Sequence, residues 1–171
     1  DSSQKRNAAL ASGGDVLSFV LASVDDRLLY RADQETDGVT ELWSVHAIPG
    51  GTPVKLNGTL VAEGDVSDMQ FTPDARSVVY RADQLTNGIA ELFRVPADGS
   101  APALLLNRPS PGGGLLSYQV PTNERALCVM LGPHSGARLY SAPLDGGPAV
   151  VLSPPSIAVA ISVSGVLADG T

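Results

Sequence analysis

The chain has 171 residues, enough for one domain with a sizeable core, and its 43% hydrophobic content is that of a globular protein. Eleven Lys and Arg stand against 18 Asp and Glu, a formal net charge of −7 with the cations scattered, so a nucleic-acid partner is excluded for want of a basic face. No apolar run approaches the ~20 residues that span a bilayer, and Cys128 is the single cysteine, which rules out an intrachain disulfide. The 18 Gly and 13 Pro lie between short apolar runs, as in an all-β protein with many tight turns. The sequence opens at Asp1 without a charged-then-apolar leader, so an export signal is expected to be absent or already removed.

In chain order, Leu10–Gly13 comes first and echoes Leu60–Glu63, the tail of a repeating unit. From Gly14 the repeat is plain: Gly14-Asp15-Val16 returns as Gly64-Asp65-Val66, Tyr30-Arg31-Ala32-Asp33-Gln34 as Tyr80-Arg81-Ala82-Asp83-Gln84, and Leu56-Asn57 as Leu106-Asn107. A period of about fifty residues that keeps its register signals a solenoid, propeller or array. Each unit divides into four short runs rich in Val, Leu, Phe and Tyr. They are Val16–Leu21, Arg27–Arg31, Thr40–Val45 and Pro53–Leu56 in the first unit. In the second they are Val66–Phe71, Arg76–Arg81, Ala90–Val95 and Ala103–Leu106. Turn residues bound every run, the signature of strands, and no run has the length or 3.6-residue period of a helix. Gly38, Gly88, Gly50 and Gly99 fall in the joints, where positive φ closes hairpins.

A third, more divergent unit follows, with Ser117–Val120 and Arg125–Leu131 as its first strands, a third strand from Leu139, and Val150–Ser153 closing it. Its second hairpin is shortened to Gly132-Pro133-His134-Ser135-Gly136. After Pro154-Pro155, Ile157–Val163 reads as the first strand of a further unit over 157–167. Four antiparallel strands per repeat of ~45–50 residues make the blade of a β-propeller. The expected fold is therefore an all-β, single partial β-propeller over 1–171, with blades at 14–57, 64–107 and 115–153 and the extra strand beyond.

Phe71-Thr72-Pro73-Asp74-Ala75-Arg76-Ser77-Val78-Val79-Tyr80, followed by Glu91-Leu92-Phe93-Arg94-Val95-Pro96-Ala97-Asp98-Gly99, resembles the repeat of TolB-type (WD40-like) bacterial propellers. In that repeat the innermost strand ends in a Ser/Thr-Pro-Asp-Gly-like turn and the third strand carries Leu-aromatic-x-apolar. The resemblance covers Gly14 to Ser153. The first unit departs from the turn with Ser23-Val24-Asp25-Asp26, and the third with Thr122-Asn123-Glu124. It implies the fold and a periplasmic or secreted setting. Such blades serve translocation proteins, peptidase accessory domains and other roles, so no function follows from it.

Closed propellers have four to eight blades, and three leave an unpaired edge and an apolar flank at each end. Either the chain is a piece of a larger propeller, or copies close a ring head to tail. The second reading predicts a homodimer of about six blades, joined by exchange of the strand Ile157–Val163 and weakened by deletion of Ser156–Thr171.

The chemistry-bearing residues leave several readings open. Asp33, Glu35, Asp37, the carbonyl of Val39 and Glu41 space oxygens as a calcium-binding hairpin loop does. Alternatively, Asp33 and Thr36 hold the turn backbone, and the second copy, with Leu85 for Glu35 and Asn87 for Asp37, favours that. The loops before the innermost strand and between the second and third strands open on one face. Asp15, Glu63, Asp65, Arg31, Arg81, Asp33, Asp83 and His134 are expected to gather there. Such a ring of acids could hold calcium or another divalent metal, or supply carboxylates of raised pKa. The structural alternative has Asp15 and Asp65 bonding backbone amides, and Arg31 and Arg81 pairing with the nearby acids. His46 falls on the opposite end, and Cys128 sits mid-strand as a buried inert thiol. No nucleophile elbow, phosphate loop or zinc pattern occurs. Two functions follow: a non-catalytic module binding a protein or small ligand through Arg31, Asp33, Glu63, Arg81 and Asp83, or a metal-assisted ester or phosphoester hydrolase using His134, Asp65 and Asp15.

Overall fold

A computed structural model of the chain describes residues 5–107, 113–132 and 136–153. Two of the sequence expectations, His134 and the extra strand at 157–167 with its proposed exchange, lie outside these residues.

The first sheet is built from β1 (Val16–Leu21), β2 (Arg27–Ala32), β3 (Glu41–His46) and β4 (Val54–Lys55), hydrogen-bonded in that order and antiparallel throughout. The second repeats it with β5 (Val66–Phe71), β6 (Ser77–Ala82), β7 (Glu91–Pro96) and β8 (Leu104–Leu105). The third holds β9 (Leu115–Gln119), β10 (Arg125–Gly132), β11 (Gly136–Pro143) and β12 (Val150–Val151). Three four-stranded antiparallel meanders without a helix among the described residues are blades of a β-propeller. Two boundaries of the third unit are corrected. Its inner strand begins at Leu115, not Ser117, and its third strand begins at Gly136, because the shortened hairpin lets β10 and β11 pair up to Gly132↔Gly136.

Each inner strand carries a register shift near its start, between Val16 and Ser18, between Val66 and Asp68, and where Val129 and Met130 meet Ser117 and Leu115. Such a bulge leaves main-chain groups out of the ladder and re-aims the strand.

The core lies between sheets. Leu29, Leu42 and Leu56 on the forward face of the first sheet pack on Val66, Met69, Tyr80 and Phe93 on the rear face of the second. Val79, Leu92 and Leu106 pack in the same way on Leu115, Tyr118, Cys128 and Tyr140 of the third. The alternation of strand side chains makes this possible, since successive residues serve opposite neighbours. The connecting segments repeat as faithfully as the strands. The Ala11 amide bonds the Gln34 carbonyl (2.8 Å) and the Gly14 amide the Ala11 carbonyl (3.0 Å); Val61 bonds Gln84 and Gly64 bonds Val61 in the same way, at 3.2 and 2.9 Å. Glu63 adopts φ +61° where Gly13 has +95°, so the turn holds its left-handed shape even without glycine.

Candidate functional site

The candidate site is the loop face at the Ala32, Ala82 ends of the second strands, where the Tyr-Arg-Ala-Asp-Gln motif leaves the sheet. Asp33 accepts the Asp15 amide on Oδ1 and the Gly38 amide on Oδ2 (3.1 Å). Asp83 accepts the Asp65 amide (2.6 Å) and the Gly88 amide (2.9 Å). One aspartate thus pins the start of the inner strand to the β2–β3 or β6–β7 loop. The Asp15 amide first, then that of Gly38, holds the Asp33 carboxyl below its ordinary range.

The tyrosine and glutamine of the motif face the core. Tyr30 Oη donates to Gln34 Oε1 (2.8 Å) and Tyr80 Oη to Gln84 Oε1 (2.9 Å), and Gln84 Oε1 also takes the Gly58 amide (3.1 Å). Burial pushes the Tyr30 phenol up to about 12 and raises that of Tyr80 as well. These four residues were not singled out as a site; their signal was the strict repetition of the motif.

Arg31 and Arg81 correct an expectation. They were expected to pair with acids, but Arg31 donates to Ser18 Oγ (2.9 Å), to the Val66 carbonyl (3.1 Å) and to that of Ser67. Arg81 donates to the Leu116 carbonyl (3.3 Å). The bulge on the next inner strand exposes these carbonyls, and a guanidinium with several donors is the group that can collect them. Between sheets, Asp65 Oδ1 accepts the Thr40 amide (2.6 Å) while the Val66 amide reaches the Thr40 carbonyl (2.9 Å). The expected amide bond is thus found for Asp65, whereas at Asp15 it is the residue's own amide that is held, by Asp33. Glu63 accepts Asn87 Nδ2 at 3.0 Å.

Asp65, Ser67, Arg81, Asp83, Gly88 and Ala90 surround a cleft of about 300 Å³. Three of the expected face residues therefore meet in one place. Arg81 Nε is itself buried, with no partner among the described residues.

The calcium-loop positions are arranged around other partners. Lys55 Nζ contacts Glu35 (2.8 Å) and Glu41, and lies 5.9 Å from the Trp43 ring centroid. Glu41 also takes the Glu35 amide (3.1 Å), and the Val39 amide bonds the Thr36 carbonyl (3.1 Å). Partial burial works against the Lys55 ammonium, but its bonds to Glu35 and Glu41 raise its pKa on balance, and Lys55 lowers that of Glu35. The Asp37 carboxylate sits over Gly13, where a Cβ would come within 2.8 Å of Oδ2. No cluster of three metal-ligating side chains occurs among the described residues.

On the opposite end, His46 Nε2 lies 2.7 Å from Arg27 Nη2. Asp25, Arg27, Asp74, Arg76 and Asp98 border a cleft of about 510 Å³ there, which the sequence did not suggest. Cys128 is buried, and burial pushes its thiol up to about 11, far from a nucleophile's range.

No family model matches the chain, and no curated protein does. Among solved structures it is similar to that titled "The structure of putative TolB from Agrobacterium tumefaciens", with a TM-score of 0.53 at 19% identity. The match covers 75% of this chain and 45% of that one, so this chain spans less than half of that protein. The likeness supports a TolB-like propeller fold coarsely and speaks to the fold alone. No helix among the described residues is long and apolar enough to cross a membrane.

Proposed function

We propose that this chain is a non-catalytic propeller module that binds a protein or small ligand on the loop face of Arg31, Asp33, Glu63, Arg81 and Asp83. In this reading it works as a ring of about six blades made with a second copy. The observation that carries the binding assignment is the cleft beside Arg81. Its walls are fixed by bonds from backbone amides to Asp83 and Asp65, and Arg81 brings a cation beside these acids. A rim that is rigid before the ligand arrives loses little entropy on binding. Asp83 spends both its oxygens on amides and Asp65 one of its two, which leaves Asp83 poorly placed as a general base.

The test is a peptide array probed with labelled protein, alongside ester and phosphoester substrates with and without chelator. Binding that falls at least tenfold in Arg81→Gln, with the β-sheet spectrum retained at the assay temperature, is the expected result. Turnover of either substrate that disappears on chelation overturns it in favour of the hydrolase reading.

A further inference from the structure

Every sheet in the chain has two faces with distinct chemistry, and two of the six have no neighbouring sheet among the described residues; on the rear of the first sheet Tyr30, Trp43 and Val45 are buried, with Leu10 packed on them, and the inner strand is left bare. The forward faces present an aliphatic trio at matching register: Leu29, Leu42, Leu56 in the first sheet and Val79, Leu92, Leu106 in the second. In the third sheet the same positions hold Leu127, Leu139 and Leu152. The Leu152 amide bonds the Leu139 carbonyl at 2.8 Å, as Leu56 bonds Leu42 and Leu106 bonds Leu92. The capping bond repeats too, since Ser153 Oγ takes the Leu139 amide where Asn57 and Asn107 take those of Leu42 and Leu92. Leu152 is 53% exposed, against 4% for Leu56 and 5% for Leu106.

The rear faces receive such trios. On the second sheet the receiving inner-strand residues are Val66, Met69 and Phe71, and on the third Leu115, Tyr118 and Val120. On the first sheet they are Val16, Phe19 and Leu21, and all three are exposed, Phe19 at 72% where Met69 is at 4%. Behind them, Tyr30 stacks on Trp43 as Tyr80 stacks on Phe93. Trp43 stands where the second sheet has Phe93 and is 6% exposed.

We infer that the forward face of the third sheet (Leu127, Leu139, Leu152) docks on the exposed inner strand at the rear of the first sheet (Val16, Phe19, Leu21) of a second copy. The occupant is argued from the chain itself, because the two junctions already inside it join this kind of forward face to this kind of rear face. A third junction of the same kind continues the rotation, so two copies make two such junctions and close. The new junction differs at one point. Val129 stands in the register place of Arg31 and Arg81, so the guanidinium clamp on the next inner strand is missing there. Without that clamp this junction is the weakest in the ring and the one that opens on dilution.

This inference rests on the ring reading above and is independent of what the loop face binds. The mass of the wild-type chain tests the ring; two surface variants test the faces. Sedimentation at ~10 μM should give about twice the 17.6 kDa chain mass. Phe19→Asp and Leu152→Asp change side chains exposed in the single chain, so both should keep the β-sheet spectrum and melt cooperatively at a temperature independent of protein concentration, yet each should sediment as a monomer. Mixed in equal amounts, the two should recover a heterodimer, because one junction then joins two intact faces. A monomeric or larger wild type overturns the ring. A dimer that survives either variant, or variants that fail to complement each other, overturns the assignment of faces.

Discussion

The first and second sheets are built from nearly the same residues in the same register, yet one is finished and the other is not. The inner strand of the second sheet buries Val66 and Met69, while every apolar residue of the inner strand of the first sheet is exposed. The same contrast runs through the polar residues. Where the first sheet has Glu35 and Lys55 in contact, the second has Leu85 and Leu105 at the same two places, so the pair changed together. Glu41 and Glu91, which hold the loops of the two sheets, consequently live in different fields. Packing depends on the neighbour a strand is given as much as on the strand itself.

The sharpest way to break the comparison is one substitution at one register position. Met69→Asp places an unpaired charge in the core and is expected to cost about 4 kcal/mol or more. Phe19→Asp, its counterpart in the first sheet, should cost the isolated chain less than about 0.5 kcal/mol, as surface changes do. Urea denaturation of both reads the difference.

The loop aspartates come next. Asp83→Ala strands the amides of Asp65 and Gly88 and is expected to cost about 2 kcal/mol, at roughly 1 kcal/mol per lost bond. Asp33 makes the corresponding bonds, and its lowered pKa gives a signed pH dependence. Its stabilisation is present above its unfolded value near 3.8 and is lost as pH falls through the lower folded value. Melting temperature against pH should therefore fall less steeply below pH ~4 in Asp33→Asn than in the wild type.

The exchanged pair gives a smaller effect. Lys55→Leu leaves the Glu41 carboxylate, 4% exposed at its side chain, without its cation and should cost about 1–2 kcal/mol. Adding Glu35→Leu, which reproduces the second sheet, should recover part of that. Urea denaturation of the single and double variants reads both steps.

The smallest effect belongs to Ala75, which sits at φ +56° in the Thr72–Ser77 turn. Ala75→Gly relieves ~1–2 kcal/mol of backbone strain but gives up a buried methyl (~0.8 kcal/mol) and adds ~0.5–1 kcal/mol of chain entropy. A net change within about 1 kcal/mol is expected, and a larger shift in the denaturation midpoint contradicts it.

Most of the fold was legible because the repeat displays each strand twice, and strand ends came within one or two residues in the first two units. The third unit was read less well, since drift removed the second copy as a guide and the shorter hairpin moved the start of β11. At the site, the sequence placed Asp65, Arg81 and Asp83 on one face, and the structure brings them around one cleft. It misassigned what Arg31 and Arg81 hold, because the carbonyls they bind are freed by a bulge that no residue type announces. Tyr30, Gln34, Tyr80 and Gln84 looked like candidates for nothing, although their strict repetition reflects the core bonds they make.

The most direct test of an unfinished first sheet completed by a second copy is amide hydrogen exchange of Val16–Leu21 and Val66–Phe71, followed as a function of protein concentration. Protection of the first strand should rise with concentration toward that of the second, while the second stays constant. Protection of Val16–Leu21 that does not change between nanomolar and tens of micromolar protein would contradict the account.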